Sequence, residues 1–374
     1  VPSLTLPKKS LIAHFSEPGK PFGLRDQPIP ELRAGEALLR VDCCTLCASD
    51  LRTVRGERTA PASGLLGHEI SGRIVATDES SALTDVAGKP LTQNARVICG
   101  VAASCGNCRY CQRGIPQKCE HLRKFGHASA DSNWQLSGGL AEYCHLPMGS
   151  SLVQIPDTIS ARESAWLGCA GATAAAAIRT AGELDERSVL VTGAGAVGLF
   201  VAAMARQAGA EVFITDLDVG RLKMAGELGA IGCQLDREAP ESKRVASARD
   251  FVMDHTDGRG ADVIMETTGV LEAVRWGIAA TDIGAKVIFV GSVAPSAPVS
   301  VYPEQVVKRL LRIEGIHNYT PIDLQAAVDF VSGHDTLLRT IGGDFPALPL
   351  RSINEAIDLA KTGQHLRVAV EPTL

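Results

Sequence analysis

Cys105, Cys108, Cys111 and Cys119 fall at the spacing C-x2-C-x2-C-x7-C, in a glycine-containing and otherwise polar stretch. Four thiolates this close in sequence can complete a tetrahedral zinc shell, and a shell with no open position holds structure and performs no catalysis. An iron–sulfur cluster also takes four cysteines. Zinc is preferred because the other chemistry legible in the chain is two-electron; buried structural cysteines, the remaining reading, are seldom so regularly spaced. A second set of ligand types is dispersed. Cys47 precedes Ser49 and Asp50, Gly67-His68-Glu69 follows about twenty residues on, and Cys169 lies about a hundred residues later. Singly these signals are weak, since a lone His is more often a satisfied core or surface residue and a lone Cys an apolar filler. Together they offer two thiolates and an imidazole, the ligand count of a catalytic zinc whose fourth position stays free to act as a Lewis acid. Glu69 is a candidate exchangeable ligand, and Asp50 a candidate to orient His68 through its second ring nitrogen.

A third constellation points to a dinucleotide. The apolar run Val189, Leu190, Val191 leads into Gly193-Ala-Gly195-Ala196-Val197-Gly198 and then into a helical pattern. In that setting Gly193 allows the turn, Gly195 lets the backbone approach a pyrophosphate and Gly198 permits close helix-to-strand packing, with exposed N–H groups facing the phosphates. Asp216 ends the next apolar strand, where its carboxylate can accept from ribose hydroxyls and would repel a 2′-phosphate, which favours NAD over NADP. Arg221, one helical turn on, can support the same ribose or lie solvated on the surface. The competing reading makes the glycines a packing device and Asp216 an ordinary strand-end acid.

These residues need a scaffold, and the chain supplies two patterns. Its 374 residues, 45% hydrophobic, suffice for two packed cores. Short apolar runs at 37–41, 72–76, 96–99 and 152–155, punctuated by Gly and Pro, predict a β-rich domain. Strand and helix patterns then alternate: strands at 188–191, 211–215, 261–265 and 286–290, helices at 197–207 and 219–228. Repeated βα units predict a doubly wound parallel sheet. A helix at 324–331 and a last strand at 367–370 return to the first domain. The expected division is a zinc-binding catalytic domain of residues 1–165 and 317–374 around an α/β nucleotide-binding domain of residues 166–316. The uncharged stretch 189–205 is broken by three glycines and reads as strand, turn and helix instead of a membrane span. A net charge of −5 with dispersed Lys and Arg gives no reason to expect a nucleic-acid partner. No apolar segment follows the N-terminal lysines as in a secretory signal, and six of the eleven cysteines suit metal binding, so a reducing compartment, the cytoplasm, is expected.

Taken in order along the chain, segment 47–50, Gly67-His68-Glu69 with Gly72, the four-cysteine loop, Cys169 with Thr173, and Gly193 to Gly198 with Asp216 resemble the zinc-containing alcohol dehydrogenases of the medium-chain dehydrogenase/reductase family. The likeness runs over nearly the whole length. It implies a chaperonin-10-like catalytic domain, a Rossmann domain and two zinc ions, one catalytic on Cys47, His68 and Cys169, the other structural. It also implies that Ser49 bonds the substrate oxygen, that Thr173, the turn Val290, Gly291, Ser292 and the stretch Gly315, Ile316, His317 lie near the nicotinamide, and that Arg367 lies near the pyrophosphate. The implied activity is hydride transfer between NAD and an alcohol or carbonyl carbon, with a small-molecule substrate and a homodimer or homotetramer as the assembly. An apolar edge strand around 299–302 is a candidate for pairing.

Two positions depart from the family pattern. Arg52 stands where many relatives carry the His that ends a proton relay, and Ala48 replaces the Arg or His that reaches the cofactor phosphates. Stretches 114–119, 122–127 and 136–143 are similar to the clade associated with phosphonate catabolism. Arg52, Arg123, Lys124 and His127 then become candidates to meet an anionic substrate, against the plainer reading of solvated loop cations. A bulky neutral secondary alcohol, alicyclic or terpenoid, is the alternative suggested by an aromatic content of only 4%. A non-catalytic, zinc-stabilised NAD-binding protein is the alternative from another class, opposed by the completeness of the open ligand set.

Overall fold

The computed structural model describes residues 6–58, 63–78, 82–129, 133–342 and 345–372. The chain divides into two compact units, one of Val1–Ala172, Thr320–Gly333 and Gly342–Leu374, the other of Thr173–Tyr319 and His334–Ile341.

The first unit is built on a largely antiparallel sheet. Its strands run in the spatial order Ala347–Pro349, Ala369–Glu371, Ala37–Thr45, Glu69–Thr77, Arg96–Ala103, Arg123–Lys124, with Tyr143–Leu146 also paired to Ala37–Thr45 and Ser150–Gln154 to Arg96–Ala103. A smaller sheet joins Gly23–Pro28, Lys9–Phe15 and Gly64–Leu65. Leu38, Leu39, Ile70, Ile74, Val97 and Phe125 are fully buried in the core these strands share. Irregular register between Ala37–Thr45 and Glu69–Thr77, at Leu38/Leu39 and at Val41/Cys43, bends the pair as β-bulges do. Cys47 and His68 lie just past the adjacent ends of these two strands, where Thr45 pairs with Glu69.

The second unit is a six-stranded parallel sheet in the order Ile231–Gln234, Glu211–Asp216, Ser188–Thr192, Ala261–Glu266, Thr281–Phe289, Arg312–Gly315. Numbered along the chain this is 3-2-1-4-5-6, the doubly wound order, whose switch point lies between Ser188–Thr192 and Ala261–Glu266. Val189, Leu190 and Val191 are wholly buried, as strands covered on both faces require. The apolar run that follows is strand, turn and the helix Ala196–Gln207, and no helix among the described residues is long and apolar enough to cross a membrane.

Two expectations are corrected. Residues 299–302 form no strand: Pro298 and Pro303 bracket the segment, Pro303 opens the helix Pro303–Lys308, and the sheet instead ends on Arg312–Gly315. The units also divide differently from the expected 1–165 with 317–374 and 166–316: residues 166–172 lie in the first, and 317–319 and 334–341 in the second.

Candidate active site

The dispersed ligand set converges. Ligand atoms of Cys47, His68, Glu69 and Cys169 all lie within 4.8 Å of one another. Cys47 precedes the helix Ala48–Val54, and Asp50 on its first turn accepts from the Cys47 N–H at 3.0 Å. The other Asp50 oxygen lies 3.3 Å from His68 Nδ1 and accepts from Gly67 N at 3.4 Å. One carboxylate therefore fixes both the thiol and the imidazole, leaving His68 Nε2 for the centre, with Ser49 Oγ 3.3 Å from that nitrogen. Gly67 is required for the turn: its φ is +90°, and a Cβ would sit 2.7 Å from Cys44 Sγ. Glu69 is fully buried and held by Arg367, whose Nε and Nη2 donate to the two carboxylate oxygens at 2.8 Å each, and by Thr45 Oγ1 at 2.5 Å. Burial pushes the Glu69 carboxyl up to about 7 against the opposing pull of Arg367. Burial also pulls on the His68 imidazole, but Asp50 and Cys47 outweigh it and raise it to about 10. The bond from Cys169, with Arg367 and His68, holds the Cys47 thiol well below its ordinary range. Two thiols and an imidazole whose ligand atoms lie within reach of one cation fit a zinc centre.

The four-cysteine loop also closes. Sγ separations are 3.5 Å for Cys108–Cys111, 3.9 Å for Cys108–Cys119 and 3.4 Å for Cys105–Cys119. A tetrahedron with Zn–S bonds of about 2.3 Å has edges of about 3.8 Å, so the four sulfurs fit the ion. The N–H groups of Cys105 and His121 point at Cys119 Sγ, both at 3.3 Å, as donors to a thiolate do. Backbone N–H groups, that of Cys111 foremost, pull Cys108 down to about 6. The loop contributes little to the core: of its cysteines only Cys119 is buried.

In the second unit, the glycine turn sits at the carboxyl ends of the parallel strands. Gly193 has φ +95°, and a Cβ would meet Thr268 Cγ2 at 2.5 Å; a Cβ on Gly198 would lie 1.9 Å from Gly193 O. Around Gly195, by contrast, nothing stands within 4 Å of an added Cβ, which leaves the backbone approachable. Ala196 and Val197 begin the helix. Asp216 accepts from Ala194 N at 2.6 Å and Asp218 N at 2.9 Å, which fixes its carboxylate beside the turn. Arg221 lies in the first turn of the helix Val219–Glu227. Val290 N and Gly291 N both donate to Glu266 O, Ser292 Oγ donates to Glu266 Oε2 at 2.9 Å, and Thr267 Oγ1 donates to Gly193 O at 3.1 Å. The turn 290–292 is thereby tied to the same end of the sheet.

Comparison with known proteins agrees with this geometry. Residues 33–157 match the alcohol dehydrogenase GroES-like domain and residues 196–333 the zinc-binding dehydrogenase family. The chain is 30% identical over 355 residues to an L-threonine 3-dehydrogenase of Coxiella burnetii, covering 93% of this chain and 95% of the relative. It belongs to the zinc-type alcohol dehydrogenases of the medium-chain dehydrogenase/reductase family. A sorbitol dehydrogenase of Halalkalibacterium halodurans is 27% identical over 356 residues, 94% of this chain and 96% of that one. The solved structure of an alcohol dehydrogenase from Thermotoga maritima superposes with a TM-score of 0.88 at 26% identity, covering 97% of this chain and 99% of that one. As a member of this family the protein is a zinc-binding dehydrogenase.

Arg367, expected at the pyrophosphate, is buried at the open centre, its guanidinium committed to Glu69, to Leu366 O and, at 3.9 Å, to Cys47 Sγ, and lying over the Trp166 ring. A desolvated cation needs a matching anion, and Glu69 supplies it. Thr173 is half-buried on the helix Ala170–Ala181, one turn past Cys169. Thr45 was missed, because it stands in no motif and only its bond to Glu69 marks it.

Proposed function

We propose that the protein is an NAD-dependent zinc alcohol dehydrogenase that moves a hydride between NAD and an alcohol or carbonyl carbon. The observation that carries this reading is the convergence of Cys47, His68 and Cys169, with Glu69 beside them and Ser49 at the imidazole. When bound, zinc supplies a Lewis acid for the substrate oxygen and NAD supplies the hydride acceptor. Asp50 sets the imidazole ring and the Cys47 backbone. Ser49 takes up the proton of the substrate hydroxyl; Arg52 on the same helix, always a donor, cannot be its next carrier. The turn at Gly193, Gly195 and Gly198 offers N–H groups to the pyrophosphate, and Asp216 accepts from the ribose hydroxyls and disfavours a 2′-phosphate. The four-cysteine loop holds the second, structural zinc. A reducing, cytoplasmic setting is consistent with the free thiols of all eleven cysteines. Another copy of this chain is assigned as the partner of the open sheet edge at Arg312–Gly315, in a homodimer or homotetramer.

For the substrate, likeness to the phosphonate-associated clade favours hydroxyalkylphosphonates over alicyclic alcohols. The deciding test is zinc content per chain together with NAD reduction, on the intact protein and on Cys47→Ser. Two zincs falling to about one, with turnover abolished, are expected. Turnover that survives Cys47→Ser, or intact protein that holds one zinc and oxidises no alcohol while binding NAD, would overturn the reading.

A further inference from the structure

Glu266 is the last residue of the strand Ala261–Glu266, beside Thr192 on one side and Phe289 on the other, and so stands at the switch point of the parallel sheet. Its side chain is wholly buried. One carboxylate oxygen, Oε1, accepts from Thr268 N at 2.6 Å, from Thr268 Oγ1 at 2.7 Å and from Gly269 N at 2.7 Å. The other accepts from Ser292 Oγ at 2.9 Å. The Thr268 hydroxyl itself accepts from Val270 N at 2.9 Å, which leaves its hydrogen for the carboxylate. A single side chain thus joins the turn after its own strand to the turn after Thr281–Phe289. The two turns are in direct contact, since a Cβ on Gly291 would lie 2.4 Å from Gly269 N.

These bonds do not require a charge. A glutamine could accept the same three bonds through its oxygen and turn its NH2 towards the Ser292 hydroxyl. The chain nevertheless places a carboxylate there, out of water and with no cation beside it. Among the described residues, the ion pairs of this unit go to Asp262, Glu272, Glu241, Glu314 and Glu304, and none reaches Glu266. A buried, unpaired charge is costly to hold and acts on its surroundings with little screening, so an incoming cation offsets the cost. In a doubly wound sheet the two mononucleotide halves of a dinucleotide fall on the two sides of the switch point. With the adenosine half at Asp216, the other half falls to the side of Ala261–Glu266 and Thr281–Phe289. Its nicotinamide ring is positively charged when oxidised and neutral once it has accepted a hydride. We propose that Glu266 is a positioning residue for this half, and that its charge favours the binding of oxidised NAD over NADH.

The inference rests on the proposed NAD site, and its test separates the two ideas. Dissociation constants would be measured on the zinc-loaded full chain for oxidised NAD and ADP-ribose by calorimetry and for NADH by fluorescence, in the intact protein, Glu266→Gln and Glu266→Asp. Glu266→Gln keeps the shape and the bonds and removes the charge. It should weaken oxidised NAD about 3- to 30-fold while leaving NADH and ADP-ribose, which lack the cationic ring, largely unchanged. Glu266→Asp keeps the charge but falls short of Ser292. It should lower the affinity for oxidised NAD and NADH together and so preserve their ratio. A side chain that only supports the turns would move both oxidation states equally in Glu266→Gln, and that result would overturn the proposal. So would a ratio in Glu266→Asp displaced towards NADH, which keeps the idea open to refutation should Glu266→Gln not fold. An intact protein that binds none of the three ligands removes the NAD site and this inference with it. Binding of all three with the ratio unchanged in Glu266→Gln removes the inference alone.

Discussion

Asp50 bears more of the open centre than its place between motif residues suggests. Its two oxygens take the Cys47 N–H, the Gly67 N–H and His68 Nδ1, so one side chain sets the direction of two ligands from separate segments. Asn in its place retains one acceptor oxygen but offers an NH2 toward Gly67 and His68, which are donors there. Outer hydrogen bonds of this type commonly contribute 10- to 100-fold to metal affinity or activity. Asp50→Asn should therefore release the catalytic zinc to a chelator at a concentration about 10- to 100-fold lower, while the four-cysteine zinc stays bound. Equal loss of both zincs would mean that the substitution acts on folding. The sequence makes Asp50 readable because it stands three residues from Cys47, within one helical turn. Arg367 is different. Its partner Glu69 is 298 residues away, and nothing local distinguishes a buried arginine from one that reaches a phosphate.

Secondary structure was the most legible level, because periodicity follows directly from which faces are covered. The helix predicted at 197–207 is Ala196–Gln207, and the strand at 211–215 is Glu211–Asp216. Runs buried on both faces of a parallel sheet leave little room for error. The glycine turn joining two of these elements separates a folding role from a binding role. Gly198→Ala places a Cβ 1.9 Å from Gly193 O, so the helix Ala196–Gln207 has to move off its strand. Overpacking of this kind costs about 1–3 kcal/mol. Gly195 has φ −75°, ordinary for alanine, and nothing stands within 4 Å of the new Cβ. Gly195→Ala should keep the thermal midpoint of the intact protein and lose NAD affinity, whereas Gly198→Ala should lower both. Thermal unfolding and NAD titration on the two variants check this. Undiminished NAD binding in a folded Gly195→Ala would remove the pyrophosphate from that turn.

At the scale of the molecule, the second unit ends in an edge that is expensive to leave bare. Among the described residues, strand Arg312–Gly315 pairs on one side only, with Thr281–Phe289, and around it Ile283, Val307, Leu310 and Ile313 are exposed, Val307 at 71% and Ile283 at 70%. Gly284 N, within Thr281–Phe289, donates to Arg309 O, which brings Ile283 and Leu310 onto the same rim. Unpaired N–H and C=O groups flanked by apolar side chains invite another strand. The sequence reading looked for this edge at 299–302, where the apolar residues are as evident but the flanking prolines exclude a ladder. Hydrophobicity alone could not tell which apolar run would find a neighbouring strand; that depends on the register of Thr281–Phe289, which pairs Lys286 with Arg312. A second copy laid antiparallel on Arg312–Gly315 would satisfy the free backbone groups and cover the four side chains at once, whereas a partner of different sequence would have to match both. Ile313→Lys with Val307→Lys places two charges on each copy of that surface and repels the symmetric pairing. Light scattering should give at least two chains per particle for the intact protein and a mass moving towards one chain for the double variant, with both zincs retained. An intact protein that runs as a single chain, or a double variant with unchanged mass, would exclude this edge as the contact between copies.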